Sequence, residues 1–133
     1  MHLKQTMKKY NKYGQTAIRT LEIHQTAKPL RESWFSAAAE FFDSESSQKK
    51  GCPRSTFLGL CEKGLIKGIS KGEYGSNSTK NKTHAIEAVK YLKENQVASI
   101  SSKELWNNLN INGKSHNSQM DVVLALWHKG LIK

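Results

Sequence analysis

The side chains of this chain best suited to chemistry are cationic or hydroxylic, and they gather in one place. Positions 49 to 56 read KKGCPRST, bringing Lys49, Lys50, Arg54, Ser55 and Thr56 together. Ammonium and guanidinium groups beside short hydroxyl side chains suit phosphate oxygens and base edges. Lys63, Lys67, Lys71, Lys80 and Lys82 continue the series. Residues 49–82 hold eight bases against Glu62 and Glu73, and residues 1–12 add Lys4, Lys8, Lys9 and Lys12 with no acid. Elsewhere nine bases and nine acids cancel, so these two segments carry the whole formal charge of +10. Solubility does not require such clustering, whereas approach to a polyanion along one side does.

Other chemistries find less support. Cys52 lies beside Lys49, Lys50 and Arg54 near an expected helix start, conditions that lower a thiol pKa, yet no spacing names a histidine partner. His24, His84, His116 and His128 have no metal-site spacing, and Cys52 and Cys61 form neither a CxxC pair nor a zinc cluster. Both thiols are expected to be reduced and structural. Glu40, Asp43 and Glu45 read as a solvated helix end rather than a nuclease cluster, and no glycine loop cradles phosphate in the P-loop or dinucleotide manner. No catalytic residue, metal ligand or cofactor is therefore expected, and the chain reads as a non-enzyme.

The elements that must position the basic residues form an internal repeat. TFLGLCEKGLIKG (56–68) and VVLALWHKGLIK (122–133) share KGLIK, and the alignment places Leu58 on Leu124, Gly59 on Ala125 and Leu60 on Leu126. Upstream, AIRTLEI (17–23) matches AIEAVKYL (85–92), and a segment carrying Trp34 or Trp106 follows each. Similar elements in one order, with connections of varying length, are what duplication and drift leave behind.

Each copy reads as three helices. The first copy has helices from about Gln15 to Ala27, Pro29 to Asp43 and Pro53 to Lys63, with Pro53 at the first helical position and Gly64 as the left-handed stop. In the second, Thr83 caps a helix with Ile86, Val89 and Leu92 on one face, and Ser101 and Glu104 form a capping box ahead of Leu105, Trp106 and Leu109. Asn117 or Ser118 then starts a third helix that stops at Gly130.

A three-helix unit ending in KGLI resembles the winged-helix branch of helix-turn-helix proteins, where the third helix enters the major groove and a strand leads to a wing. LIKGISKGEYGSNSTKNK (65–82) would supply that strand and a basic wing, whereas the second copy has no sequence after Lys133 to do so. Spacing sends Phe57, Leu58, Leu60 and Cys61 inward and leaves Arg54, Ser55, Thr56, Gly59 and Lys63 outside, with Gly59 available either for close backbone approach or for helix packing. In the other third helix, Met120, Val123, Leu124, Leu126 and Trp127 are apolar around most of the circumference, leaving Ser118, Asp121, Val122 and Ala125. That set suits packing or association better than phosphate. Over nearly the whole chain, KGCPRSTFLGLCEKGLIKGISKGEY and NSQMDVVLALWHKGLI also resemble strings of a bacterial domain family of unknown function, a likeness that implies no activity.

The expected protein is mainly α, with tandem, duplicated three-helix helix-turn-helix or winged-helix-like units and little β. Residues 1–13 form a basic arm, 14–72 the first unit, 73–82 a basic wing or linker, and 83–133 the second unit. The expected partner is double-stranded DNA, met by Lys49, Lys50, Arg54, Ser55, Thr56, Lys63, Lys67, Lys71, Lys80 and Lys82. The alternative is a protein-interaction module, such as an inhibitor or accessory subunit in a phage or defence context, and the C-terminal helix is a candidate homodimer contact. MHLKQTMKKYNK lacks the apolar core of a signal peptide and no stretch is long enough to span a bilayer, so a cytoplasmic location without membrane contact is expected.

Overall fold

The computed structural model describes residues 9–111 and 116–133. Among these residues the helices are α1 (Lys12–Ile23), α2 (Leu30–Phe41), α3 (Glu45–Gln48), α4 (Gly51–Glu62), α5 (Thr79–Glu94), α6 (Ser102–Asn108) and α7 (Gln119–His128). The mainly α expectation holds. Among the described residues the β structure is one isolated bridge, and no helix is long and apolar enough to cross a membrane.

Local chemistry sets most helix ends. Asn11 caps α1 by accepting from Gly14 N at 2.9 Å, and Ser78 caps α5 by accepting from Asn81 N at 3.2 Å. The cap of α5 therefore lies five residues before Thr83, and the end of the expected linker is the first helical turn. Likewise α1 takes in the last residues of the expected basic arm; residues 1–8 lie outside the described residues. The Ser101 and Glu104 capping box opens α6 as expected. Pro53 occupies the third helical position of α4 rather than the first, still within the turn where its missing N–H has no helical partner. The four-residue α3, capped by Ser44, lies between the expected second and third helices.

The two third helices, α4 and α7, end identically. Gly64 and Gly130 have φ of +78° and +71°, and the following leucines bond back into the helix, Leu65 N to Leu60 O at 3.1 Å and Leu131 N to Leu126 O at 3.0 Å. This Schellman arrangement places a left-handed residue where glycine carries no Cβ penalty. The two KGLIK strings then pair with each other. Lys67 N donates to Leu131 O at 2.9 Å, Lys133 N donates to Leu65 O at 2.8 Å, and Ile66 faces Ile132 in an antiparallel bridge. Exchanging the repeats exchanges the two bonds, so the pair has a local two-fold.

The same exchange governs helix packing. α4 packs on α5, the first helix of the other copy, and α7 packs on α1. A Cβ added to Gly59 would lie 2.8 Å from Lys82 Cβ and 2.9 Å from Lys82 Cα, so only glycine admits this crossing. At the other crossing a Cβ on Gly14 would lie 2.9 Å from Ala125 Cβ. Since Ala125 aligns with Gly59, the two close approaches correspond, with the glycine moved from the third helix to the first. One continuous apolar core results, running from Ala17 through Trp34, Phe57, Val89 and Trp106 to Ile132.

That core corrects three expectations. Ser55 and Thr56 are 4% and 0% exposed, and Gly59 is also buried, so the middle of α4 is an interior helix with no face free for a groove. Val122 and Ala125, expected outside, are fully buried, because α7 is covered by α1, α4, α5 and α6 of its own chain. Residues 65–82 form no wing hairpin: Leu65 to Lys67 bond to the other repeat, and the segment beyond is organised by Glu62. Helical periodicity ranks positions on one helix, but it cannot see two further helices closing over the polar side.

Candidate nucleic-acid interface

Burial of the middle of α4 divides the expected basic residues between its ends. Lys49, Lys50 and Arg54 stand at the N-terminal end; Lys63, Lys67 and Lys71 stand at and beyond the C-terminal end, about 18 Å away for a twelve-residue helix. Lys49, Lys50, Lys63, Lys67, Lys71 and Lys80 are exposed, while Arg54 and Lys82 are half-buried.

Two of these cations are already engaged. Lys49 forms an exposed ion pair with Glu45 one turn away. Lys82 reaches Glu62 at 3.1 Å, and the same carboxylate accepts from Tyr74 N at 2.9 Å, Ser76 N at 3.2 Å and Ser76 Oγ at 2.8 Å. Burial would raise the Glu62 pKa, but these donors outweigh it and hold the carboxyl at about 2. Lys82 and Glu62 thus secure the turn into α5. No local pattern marks Glu62, because its donors come from residues twelve to twenty positions away.

The N-terminal end of α4 interleaves cations with aromatic rings. The Arg31 and Arg54 guanidinium carbons lie 5.6 and 5.2 Å from the centroid of the same Phe35 ring. Lys50 Nζ lies 5.7 Å from the Tyr13 centroid, Lys12 Nζ lies 5.8 Å from that of Phe42, and the Tyr13 and Phe42 rings are 4.5 Å apart. Tyr13 OH donates to Ser47 O at 3.0 Å, fixing the ring beside α3. Arg54 donates from Nη1 to Lys49 O at 2.7 Å. Its pKa is lowered, first by burial and then by the charge of Arg31. Arg31 escaped sequence reading because it lies in a segment whose charges cancel; only the fold carries α2 beside α4.

The C-terminal end is different in kind. Lys63, Lys90 and Lys93 border an apolar groove of about 340 Å³ floored by Leu65, Ile86 and Val89. Lys90 and Lys93 belong to a segment of balanced charge, yet the fold sets them with Lys63.

Sites for other chemistry are sparse among the described residues. No group of three His, Cys, Asp or Glu side chains could hold a metal, Cys61 is buried with its thiol pKa pushed up chiefly by burial, and Glu40 and Glu45 pair separately with Arg19 and Lys49. His24 Nδ1 lies 3.0 Å from the buried Ser33 Oγ, a contact that ties the end of α1 to α2.

No curated protein and no solved structure matches this chain. The sequence pattern of DUF6979, a family of unknown function, matches residues 10–133, every described helix included, and the chain belongs to that family.

Proposed function

We propose that this protein binds nucleic acid in the cytoplasm, through phosphate contacts made by exposed cations at the two ends of α4 and without inserting a recognition helix. The observation that carries the reading is the face at the start of α4, where Lys12, Lys50, Arg31 and Arg54 alternate with Phe42, Tyr13 and Phe35. Cations follow a phosphate backbone, and half-buried rings between them hold the cationic side chains in place while leaving surface for sugar and base contact. Among the described residues, no carboxylate lies within ion-pair distance of Lys50, Arg54, Lys63, Lys67, Lys71 or Lys80. Their charge remains available to an outside anion.

Fluorescence anisotropy with random-sequence duplexes of increasing length, at two salt concentrations, tests the proposal. Affinity should rise with length until a site size is reached, and log K should fall linearly with log salt. Lys50→Ala should reduce the salt slope by about 0.9, the value for one phosphate contact. Lys103→Ala, on α6, should leave the slope unchanged. Lys90 and Lys93 are unsuitable controls because they share a groove with Lys63. Absence of duplex binding at moderate salt would transfer the basic face to an acidic protein partner.

A further inference from the structure

Arg31 and Arg54 stand in an arrangement that is costly without an anion. Arg31 is the second residue of α2 and Arg54 the fourth of α4, so both cations sit at helix N-termini, where the macrodipole is positive. Neither helix has a side-chain cap; the capping positions are Pro29 and Lys50. Both guanidiniums are held against Phe35, so like charges are brought together from separate helices. Both Nε atoms are buried without a hydrogen-bond partner, and the acid next to Arg31 in sequence, Glu32, forms no ion pair with either arginine. Buried donors ordinarily find partners, and half-buried like charges held against one ring gain from a shared counter-charge.

We infer that Arg31 and Arg54 form a clamp for a single phosphate group, with the Phe35 ring supporting both guanidiniums. A phosphate group presents oxygens to the planar donors of both guanidiniums, and its negative charge offsets the arginine repulsion and is stabilised by the positive ends of the two helices. The flat ring supports the cations without competing for their N–H donors. Naming a nucleic-acid phosphodiester as the source of the phosphate rests on the function proposed above; the clamp geometry does not.

The test is a double-mutant cycle on duplex binding, using Arg31→Gln, Arg54→Gln and the double variant, each checked for helical circular dichroism. Two arginines on one phosphate should act together. Either single change should weaken binding several-fold, the second change should add much less than the first, and the double variant should lose about 0.9 from the salt slope. Additive losses with a slope change of about 1.8 would mean two separate phosphates and would overturn the clamp. A single variant with unchanged affinity would overturn it as well. Should the wild-type protein bind no duplex, the nucleic-acid source fails, and the clamp is judged by melting temperature in inorganic phosphate against chloride at equal ionic strength. A rise in phosphate that the double variant lacks would sustain it; no rise in the wild type would overturn it.

Discussion

The helices α4 and α7 occupy corresponding places and end in the same glycine stop, yet they differ at their beginnings. Both are interior helices, both lead into KGLIK, and the two KGLIK strings pair with each other. α4 starts in KKGCPR with Lys50 at its cap, whereas α7 starts after a left-handed Ser118 and carries Asp121 in its first turn. The fully buried Gln119 follows Ser118 and donates to Asn81 Oδ1 at 3.3 Å, joining the start of α7 to that of α5. The two KGLI ends are therefore alike, while the two starts differ, one exposed and cationic and the other buried and amide-bonded. The start of α4 keeps Lys49 and Lys50 exposed, whereas the start of α7 is tied into the interior through Gln119, so the charge gathers at the end that packing leaves open.

The largest expected effect tests the core that both copies share. Trp34 is fully buried against Phe57, with centroids 5.3 Å apart, and Trp106 is 9% exposed between His84 and His116. Trp34→Ala should cost about 3 to 5 kcal/mol and Trp106→Ala a similar or slightly smaller amount, read by chemical denaturation. A loss below about 1 kcal/mol for one alone would show that the halves do not share one cooperative core.

Next come the two close crossings. Gly59→Ala sets a Cβ against the backbone of Lys82 and should cost about 1 to 3 kcal/mol. Gly14→Ala should cost a comparable amount, since its nearest obstacle is the Ala125 methyl. The crossings should then diverge. Ala125→Gly should recover part of the Gly14→Ala loss by moving the glycine to the third helix, less about 1 kcal/mol of helix propensity. Shortening Lys82 to Ala should give Gly59→Ala no such relief, because Lys82 Cα itself is in the way. Equal rescue at both sites would break the correspondence.

The Glu62 network sharpens the contrast at the other end of α4. Its folded pKa of about 2 lies below the usual 4.5, so the carboxylate contributes stability that is complete above about pH 4.5 and lost as pH falls towards 2. Melting temperature should fall through that window in the wild type and fall less in Glu62→Gln, which should begin from a lower value at pH 7. A parallel decline in both proteins would remove Glu62 as the organiser of residues 72–82.

The smallest effect concerns Arg31. Because it stands at the positive end of α2 near a second guanidinium, Arg31→Gln in chloride buffer should leave the melting temperature unchanged or raise it slightly. A marked fall would mean that Arg31 serves packing above all.

Legibility in the sequence followed the range of the forces involved. The Ser101 capping box, the glycine stops at Gly64 and Gly130 and the inward set Phe57, Leu58, Leu60 and Cys61 were all readable, because each depends on neighbours within a turn or two. The cap of α5 is ambiguous in the sequence because polar residues from Ser76 to Thr83 supply several candidates besides Thr83, and only the bonds at Ser78 choose among them. Of the expected binding residues, helical periodicity places Ser55 and Thr56 outside. Periodicity describes one helix, and the packing of α5 and α7 around α4 overrides it.

By itself the sequence determined a helical chain, a repeated KGLIK unit and a positive charge confined to two segments, since propensity, capping and formal charge are carried by residue type. Tertiary structure decided that each first helix packs on the third helix of the other copy, that the two repeats pair edge to edge, and that Arg31 stands with Arg54 around Phe35. Those outcomes depend on side chains far apart in the chain competing for one interior, where a single methyl group at Gly59 or Gly14 is enough to exclude an arrangement.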